Sequence, residues 1–262
     1  MRNTVLRLRS SGWNKYSHLM ICSDNANWVL DWEGRELSVL CTDLGIRLAR
    51  PEYSELSRNQ SVFYTSRYAV LTDWQTPKHR IAFPYFHGRP DSGKNFAQMI
   101  NTIKSHHDEL ARIQVSHSEI HDIVLETGID SHKVFRIPIG INLDYFNCTR
   151  AELKRKARTK LGVPQTAVVV GSFQKDGNGW GQGLEPKLIK GPDIFLKTVE
   201  ILKFEVPELF ILLTGPARGY VKKGLEKLGV PFLHKFLNNY IEIGHYFNAL
   251  DLYIISSREE GG

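Results

Sequence analysis

Cysteine is scarce in this sequence, and the three that occur, Cys22, Cys41 and Cys148, are scattered without the spacing of metal ligands. An odd, low number of cysteines is typical of a reducing compartment without a disulfide framework. The first 20 residues lack the apolar core of a secretory signal, and no segment reaches the apolar length that spans a bilayer. These absences predict a cytoplasmic protein, which could still be peripheral to the inner face of a membrane.

A strong excess of charge of one sign is also lacking, since the formal net charge is only +6. A positive charge of this modest size favours anionic partners mildly, and we do not expect a nucleic acid among them. The hydrophobic content of 42% and the lack of low-complexity segments indicate a packed globular chain. With 262 residues, the chain is long enough for one large domain or two ordinary ones.

Short apolar runs alternate with helix-like segments in the first half, which predicts a mainly parallel sheet. The predicted strands cover residues 27–32, 67–74, 79–86, 112–116 and 133–138, and the predicted helices cover 33–45, 93–111 and 118–128. An irregular stretch follows at 139–149. Because this stretch interrupts the alternation, it predicts a domain boundary.

The same alternation begins again in the second half. A basic helix is predicted at 150–162, strands at 167–173, 208–215 and 250–257, and helices at 191–206 and 218–229. The restart predicts an α/β protein with two Rossmann-like domains facing a cleft. We place the N-terminal, acceptor-side domain at 1–145 and the C-terminal, donor-side domain at 146–262.

A long glycine-rich segment joins the strand that ends near Gly171 to the helix that begins near Pro192. In open α/β sheets, ligands bind beyond the carboxyl ends of the strands, and a helix N-terminus favours an anion. The segment is therefore either an anion-binding loop with lysines at 175, 187 and 190, or a mobile surface loop with solvated lysines. Its alternating glycines match neither a Walker loop nor the dinucleotide fingerprint. We expect residues 172–190 to be poorly ordered without a ligand.

Three stretches together resemble the retaining glycosyltransferases of the GT-B fold, family 4, also called glycosyl transferases group 1. The stretch KVFRIPIGINLDYF resembles the crossover between their domains, and VVVGSF with LIKGPDIFLKTVEIL resembles the first strand and helix of their donor domain. The stretch ALDLYIISSREEGG resembles the strand that leads into their Glu-x7-Glu motif. The resemblance runs from about Ile113 to Gly262, and it is only architectural before that.

The resemblance implies transfer of a sugar from a nucleotide diphosphate sugar to a glycan, lipid or small-molecule acceptor, with retention and without a cofactor. It implies that Glu260, at the first Glu of the motif, holds the donor sugar. It also implies that His87 faces this sugar across the cleft. The implied donor-binding residues lie at the strand-to-helix corner and after the next strand: Gly171, Ser172, Lys175, Lys190, Gly191 and Arg218.

The sequence departs from the family pattern at several positions. Ser172 stands where many members have an arginine that binds the donor diphosphate, and Lys175 is the candidate substitute. Ile139 and Asn142 replace an Asn and an Asp of the crossover. The second Glu of the motif would fall beyond Gly262, so the chain resembles a truncated member. A non-catalytic nucleotide-sugar or polyanion binding protein on the same scaffold is the alternative, whereas a dehydrogenase would need the missing dinucleotide fingerprint.

Two histidines carry a metal-site alternative. His117 and His121 are one helical turn apart, a spacing that two metal ligands could use. No third ligand is evident nearby in the sequence, so we predict no metal site. The sequence also has no Asp-x-Asp motif, which argues against the metal-dependent glycosyltransferases of the GT-A fold.

Overall fold

The structure, a computed structural model, describes residues 19–23, 29–40, 42, 46–49, 61–66, 80–146 and 150–260. Helices alternate with strands in two parallel sheets, which confirms the predicted α/β class. The chain divides into two compact units, Met1–Ile139 with Gly261–Gly262, and Gly140–Glu260. None of the helices in the described ranges has the length and apolar character needed to cross a membrane.

The first unit contains a six-stranded parallel sheet with the order β2-β1-β3-β4-β5-β6. The strands are β1 (Leu19–Cys22), β2 (Ile46–Ala49), β3 (Ser61–Tyr64), β4 (Arg80–Pro84), β5 (Leu110–Val115) and β6 (Val134–Arg136). The helices are α1 (Val29–Leu40), α2 (Lys94–His106) and α3 (Ser118–Leu125). Met99 and Ile103 of α2 and Val124 of α3 are fully buried in the core of this unit, because their helical spacing places them on the face that meets the sheet.

The predicted strand at residues 27–32 is wrong, because Val29–Leu40 form helix α1. The apolar residues of this segment can be spaced for either structure, and Asp31 in the first turn complements the helix dipole. Strands β1, β2 and β3 were not predicted, whereas the strands predicted at 79–86, 112–116 and 133–138 are present as β4, β5 and β6. The strand predicted at 67–74 lies outside the described residues.

The second unit contains a four-stranded parallel sheet with the order β10-β7-β8-β9. The strands are β7 (Val168–Ser172), β8 (Leu209–Thr214), β9 (Phe232–Lys235) and β10 (Leu252–Tyr253). The helices are α4 (Ala151–Leu161), α5 (Pro192–Glu205), α6 (Gly219–Leu228) and α7 (Ile243–Ala249). Helices α5 and α6 bury residues in one core cluster, and α4 and α7 bury residues in another. Both faces of the sheet are therefore covered, as a parallel sheet requires.

A buried arginine fixes the amino ends of two strands in the second unit. Arg158 of α4 donates hydrogen bonds to the carbonyls of Ala167, just before β7, and Ala249, at the end of α7. It also forms an ion pair with Asp251, just before β10, at 2.6 Å. Asp251 in turn accepts a hydrogen bond from the Val169 amide at 2.7 Å. These bonds hold β7 and β10 side by side at the end where the chain enters them.

Candidate functional site

Strands β7 and β10 form the switch point of the second sheet. The chain leaves β7 toward β8 and β9 on one side, and it returns to β10 on the other side. Ligands of open α/β sheets bind outside the carboxyl ends of the strands at such a point. Beyond these ends, the Ile254 amide still donates to the Gly171 carbonyl at 3.0 Å, but strand β10 has already ended at Tyr253. The predicted strand at 250–257 is therefore shorter, and residues 254–260 are available to form a site.

Gly191 brings the start of α5 against this segment. Its φ is +61°, in the left-handed region, and an added Cβ would lie 1.9 Å from the Ser256 carbonyl oxygen. Only glycine fits such a close backbone approach. The adjacent Lys190 carbonyl accepts a hydrogen bond from the side-chain amide of Gln174 at 2.6 Å. It accepts another from the Ser256 hydroxyl at 3.2 Å. These contacts tie the ends of β7 and β10 to the start of α5.

Lys190 and Glu260 form an ion pair in this region, with Nζ and Oε2 2.8 Å apart. The two side chains are 21% and 37% exposed, so both can be reached from solvent. The Ser257 hydroxyl contacts the other carboxylate oxygen of Glu260, and it lies 2.9 Å from Gln174 Oε1. Because this hydroxyl has one proton for two acceptors, the site has an acceptor to spare for a ligand hydroxyl.

Arg258 fixes the same segment to the first turn of α5. Its guanidinium binds both carboxylate oxygens of Asp193, at 2.7 and 3.0 Å, and its backbone amide donates to the Ile189 carbonyl at 2.8 Å. The hydrogen bond from Arg258 lowers the pKa of Asp193 below its usual value. The helix N-terminus therefore already carries a carboxylate, and Lys190 is the cation beside it that faces Glu260.

The glycine-rich segment folds as a hairpin, and its poor order without a ligand stays a prediction. The Lys187 amide donates to the Asp176 carbonyl at 2.8 Å, and the Asn178 amide donates to the Glu185 carbonyl at 2.9 Å. Gly177 and Pro186 form an antiparallel bridge between these bonds. We call residues 176–187 the glycine hairpin.

The glycine hairpin is docked on the N-terminus of α6. The carbonyls of Gln182 and Gly183 accept hydrogen bonds from the amides of Gly219 and Tyr220, both at 2.8 Å. These amides are among those that a helix N-terminus leaves without an intrahelical partner. The hairpin therefore occupies the anion-binding end of α6, and Gly183 packs closely against the Ala217 backbone.

Arg218 lies inside the protein, with a side chain that is 0% exposed. It forms an ion pair with Asp176 at 3.0 Å and donates to Ser172 Oγ at 3.1 Å. Ser172 itself is buried. Burial raises the pKa of Asp176 to about 6, although the Arg218 charge counteracts part of this shift. Among the predicted donor-binding residues, Arg218 and Ser172 thus meet each other below the surface.

Lys175 contacts an aromatic ring, whereas Lys190 contacts a carboxylate. Its Nζ lies 3.8 Å from the ring centroid of Trp180, which is 75% exposed at the hairpin tip. Burial and the nearby charge of Lys187 lower the pKa of Lys175. Two ammonium groups that repel each other in this way make the hairpin surface attractive to an anion.

His87 belongs to the first unit, where it follows β4. Its ring packs edge-on against the Phe96 ring, with centroids 5.6 Å apart. The next residue, Gly88, accepts a hydrogen bond from the Tyr85 hydroxyl at 2.7 Å. The role of His87 at a donor sugar stays a prediction. In the part of the chain that the structure describes, no cluster of three or more His, Cys, Asp or Glu side chains could hold a metal ion.

Sequence reasoning missed several polar residues of this site. Gln174, Ser256 and Ser257 connect Lys190 to Glu260, and Asp193 holds Arg258. The signal that could have found the serines is their position directly after the largely apolar run LDLYII, at a strand carboxyl end. Nothing comparable marks Gln174, which is an ordinary residue in a loop.

No protein-family model matches the chain, and a search of curated proteins finds no match. Solved structures do match. Anabaena HepE in complex with UDP and glucose superposes with a TM-score of 0.67 at 13% identity, over 92% of this chain and 74% of that chain. A glycosyltransferase from Rickettsia africae gives a TM-score of 0.54 at 14% identity, over 92% and 73%.

A mutant of TarM from S. aureus, in complex with Fondaparinux, alpha-GlcNAc-glycerol and UDP, is also similar. Its TM-score is 0.54 at 11% identity, over 77% of this chain and 37% of that chain. These neighbours are glycosyltransferases of the GT-B fold. The similarity confirms that this chain has the GT-B fold predicted from its sequence.

Proposed function

We propose that this chain binds a nucleotide diphosphate sugar and transfers the sugar to an acceptor with retention of configuration. The observation that carries the proposal is the accessible pair of Lys190 and Glu260 at the switch point of the second sheet. A donor of this class presents a diphosphate, which needs a cation, next to a sugar, whose hydroxyls need acceptors. HepE, which has the same fold, was solved with UDP and glucose.

In the proposed complex, the diphosphate takes the place of the Glu260 carboxylate at Lys190. Negative charge grows on the diphosphate as the bond to the sugar breaks, and a fixed ammonium group stabilises that charge. Glu260 then becomes available to accept hydrogen bonds from sugar hydroxyls, together with the acceptor that Ser257 leaves unsatisfied. We assign Lys175 as a second cation for the diphosphate, and we propose that no metal or cofactor takes part.

Other predicted residues have supporting roles in this proposal. Gly171 and Gly191 let the backbone pack closely at the strand-to-helix corner; an added Cβ on Gly171 would lie 2.4 Å from the Leu250 side chain. His87 stays a proposed contact of the donor sugar, on the family resemblance alone. Ser172 and Arg218 are buried, so they act on the donor through the residues that they position.

A non-catalytic nucleotide-sugar or polyanion binding protein is the second candidate. The observation that favours it is Ser172, because a buried serine cannot supply the second cation that many family members place there. Binding without turnover would support this candidate. Both candidates share the same donor site.

Calorimetric titration with UDP, GDP, ADP and UDP-glucose tests the binding proposal. We expect one nucleoside diphosphate to bind more tightly than the others. Proton NMR of the released sugar then tests the chemistry, because a retaining enzyme that slowly hydrolyses UDP-glucose first releases the α-anomer. No binding of any of these nucleotides would refute the donor site. Release of the β-anomer would refute retention.

A further inference from the structure

The ion pair between Asp176 and Arg218 is not explained by stability. Both side chains are almost fully buried, at 1% and 0% exposure. Asp176 Oδ1 and Arg218 Nε have no hydrogen-bond partner in the described part of the chain. Removing two charges from water is costly, and replacement of such a pair by apolar residues is often neutral or stabilising. An imperfectly satisfied pair therefore calls for a reason other than the free energy of folding.

Arg218 connects the carboxyl ends of the two central strands. It donates hydrogen bonds to the carbonyls of Ser172 and Gln174, both at 2.7 Å, and to the carbonyl of Thr214 at 2.9 Å. Ser172 and Thr214 are the last residues of β7 and β8. The guanidinium therefore fixes the direction in which the chain leaves the sheet on the side where ligands bind.

The Gln174 backbone that Arg218 holds carries a side chain that belongs to the candidate site. Its amide nitrogen donates to the Lys190 carbonyl at 2.6 Å, and its amide oxygen lies 2.9 Å from the Ser257 hydroxyl. Ser257 in turn contacts Glu260. Hydrogen bonds thus link Arg218 through Gln174 to Lys190, whose ammonium group binds Glu260, and the Ser257 hydroxyl donates to either Gln174 or Glu260.

Asp176, the other member of the buried pair, is the first residue of the glycine hairpin. Next to it, Gly177 and Gly183 pack so closely on the loop before α6 that an added Cβ would lie 2.3 or 2.1 Å from the Ala217 carbonyl oxygen. Ala217 has a φ of +55°, an unusual conformation for a residue with a side chain. Such close backbone packing needs a fixed approach of the hairpin, and the ion pair holds the hairpin at its base.

We propose that Asp176 and Arg218 are positioning residues, which fix the end of β7 and the glycine hairpin so that Gln174 presents Lys190, Ser257 and Glu260 to an anionic ligand. This inference rests on the proposed donor site for the identity of the ligand. The inferred effect on the hairpin itself does not depend on any ligand. The two parts can therefore be tested by separate measurements.

The second unit contains a matched control at the opposite end of the same sheet. Arg158 and Asp251 also form an ion pair between a buried arginine and an aspartate, at 2.6 Å. Their hydrogen bonds reach the amino ends of β7 and β10, away from the hairpin and from Lys190. A change that acts only through stability should give similar results at both pairs.

The experiment compares Asp176→Asn with Asp251→Asn, because each change keeps the shape of the side chain and removes its charge. The measurements are the melting temperature, the UDP dissociation constant by calorimetry, and amide hydrogen exchange at Asn178, Lys187, Gly219 and Tyr220. For Asp176→Asn we expect a lower melting temperature, because the change leaves the buried charge of Arg218 without its partner. We also expect at least tenfold faster exchange at these amides and at least tenfold weaker UDP binding. For Asp251→Asn we expect a lower melting temperature with exchange and UDP binding within twofold of the wild type.

The double variant Asp176→Leu/Arg218→Met is the second test, which covers an Asp176→Asn protein that fails to fold. It should melt within a few degrees of the wild type, yet it should show the same fast hairpin exchange and weak UDP binding. Wild-type exchange at the four amides in either folded variant would overturn the inference. A wild-type protein that does not bind UDP would refute the proposed donor site, and hydrogen exchange would still decide whether the pair positions the hairpin.

Discussion

Replacement of Lys190 by methionine separates a ligand-binding role of this residue from a structural one. Methionine keeps most of the apolar stem and removes the charge. The ion pair with Glu260 is partly exposed, so its contribution to stability is at most about 1 kcal/mol. In a chain of this size that corresponds to a fall in melting temperature of about 4 °C or less.

The expected effect on binding is much larger. If the ammonium group holds the diphosphate, its loss removes a charge-assisted hydrogen bond worth about 1.5–3 kcal/mol. Binding of UDP should then weaken by about tenfold to a hundredfold, which calorimetry measures directly. The effect should be similar for UDP-glucose, because both ligands carry the diphosphate.

Lys197→Met is the matched control for this measurement. Lys197 lies on α5, the helix that follows Lys190. Its Nζ also lies 2.8 Å from a carboxylate oxygen, that of Glu200. Its exposure of 71% makes it a solvated surface residue. We expect UDP binding within twofold of the wild type for this variant. A Lys190→Met protein that also binds UDP within twofold of the wild type would show that the diphosphate does not use Lys190.

Three further predictions follow from the same contacts. Glu260→Gln removes the carboxylate that competes for Lys190, so calorimetry should show UDP binding at least as tight as in the wild type; clearly weaker binding would contradict the proposed exchange of partners. Gly191→Ala should lower the free energy of unfolding, measured in urea, by more than about 1 kcal/mol, because the new Cβ would meet the Ser256 carbonyl. The loss should be larger than for Gly179→Ala, because Gly179 has a similar φ but no neighbour within 4 Å. Burial raises the pKa of Asp176 from 3.8 to about 6, so its contribution to stability is complete below pH 3.8 and is lost as the pH rises through 6. Urea unfolding of the wild type and of Asp176→Asn at pH 4.5 and 7 measures this loss, and equal pH dependence in the two proteins would refute it.

The sequence predicted the architecture of the second unit better than the contacts of its site. Lys190 and Glu260 are 70 residues apart and were both predicted from motif positions, and the structure brings them into contact. Gln174 and Ser257 were not predicted, because their roles depend on where the backbone leaves the sheet after Ser172 and after Tyr253. Strand length at a sheet edge is set by tertiary packing, which a local apolar run does not specify.

Glycine content alone did not indicate how the segment between β7 and α5 folds. Glycine is flexible when nothing packs on it, but it also allows the closest approach of two backbones. Gly177 and Gly183 are used in the second way, against the Ala217 carbonyl.

A polar residue after a strand can likewise point toward a ligand or into the protein. Arg218 does the latter because its partner, Asp176, lies in the segment that was expected to be loose.

The pairs Arg158–Asp251 and Arg218–Asp176 have opposite electrostatic consequences at the two ends of one sheet. Burial raises the pKa of Asp251, but hydrogen bonds from Lys154, the Val169 amide and Arg158 outweigh it and lower the pKa below its usual value. Ionisation of Asp251 therefore stabilises the fold, and this contribution is lost as the pH falls. At the carboxyl end, burial dominates and raises the pKa of Asp176, so ionisation there costs stability. A carboxylate whose ionisation costs stability, at the end of the sheet where ligands bind, is best explained by what it positions.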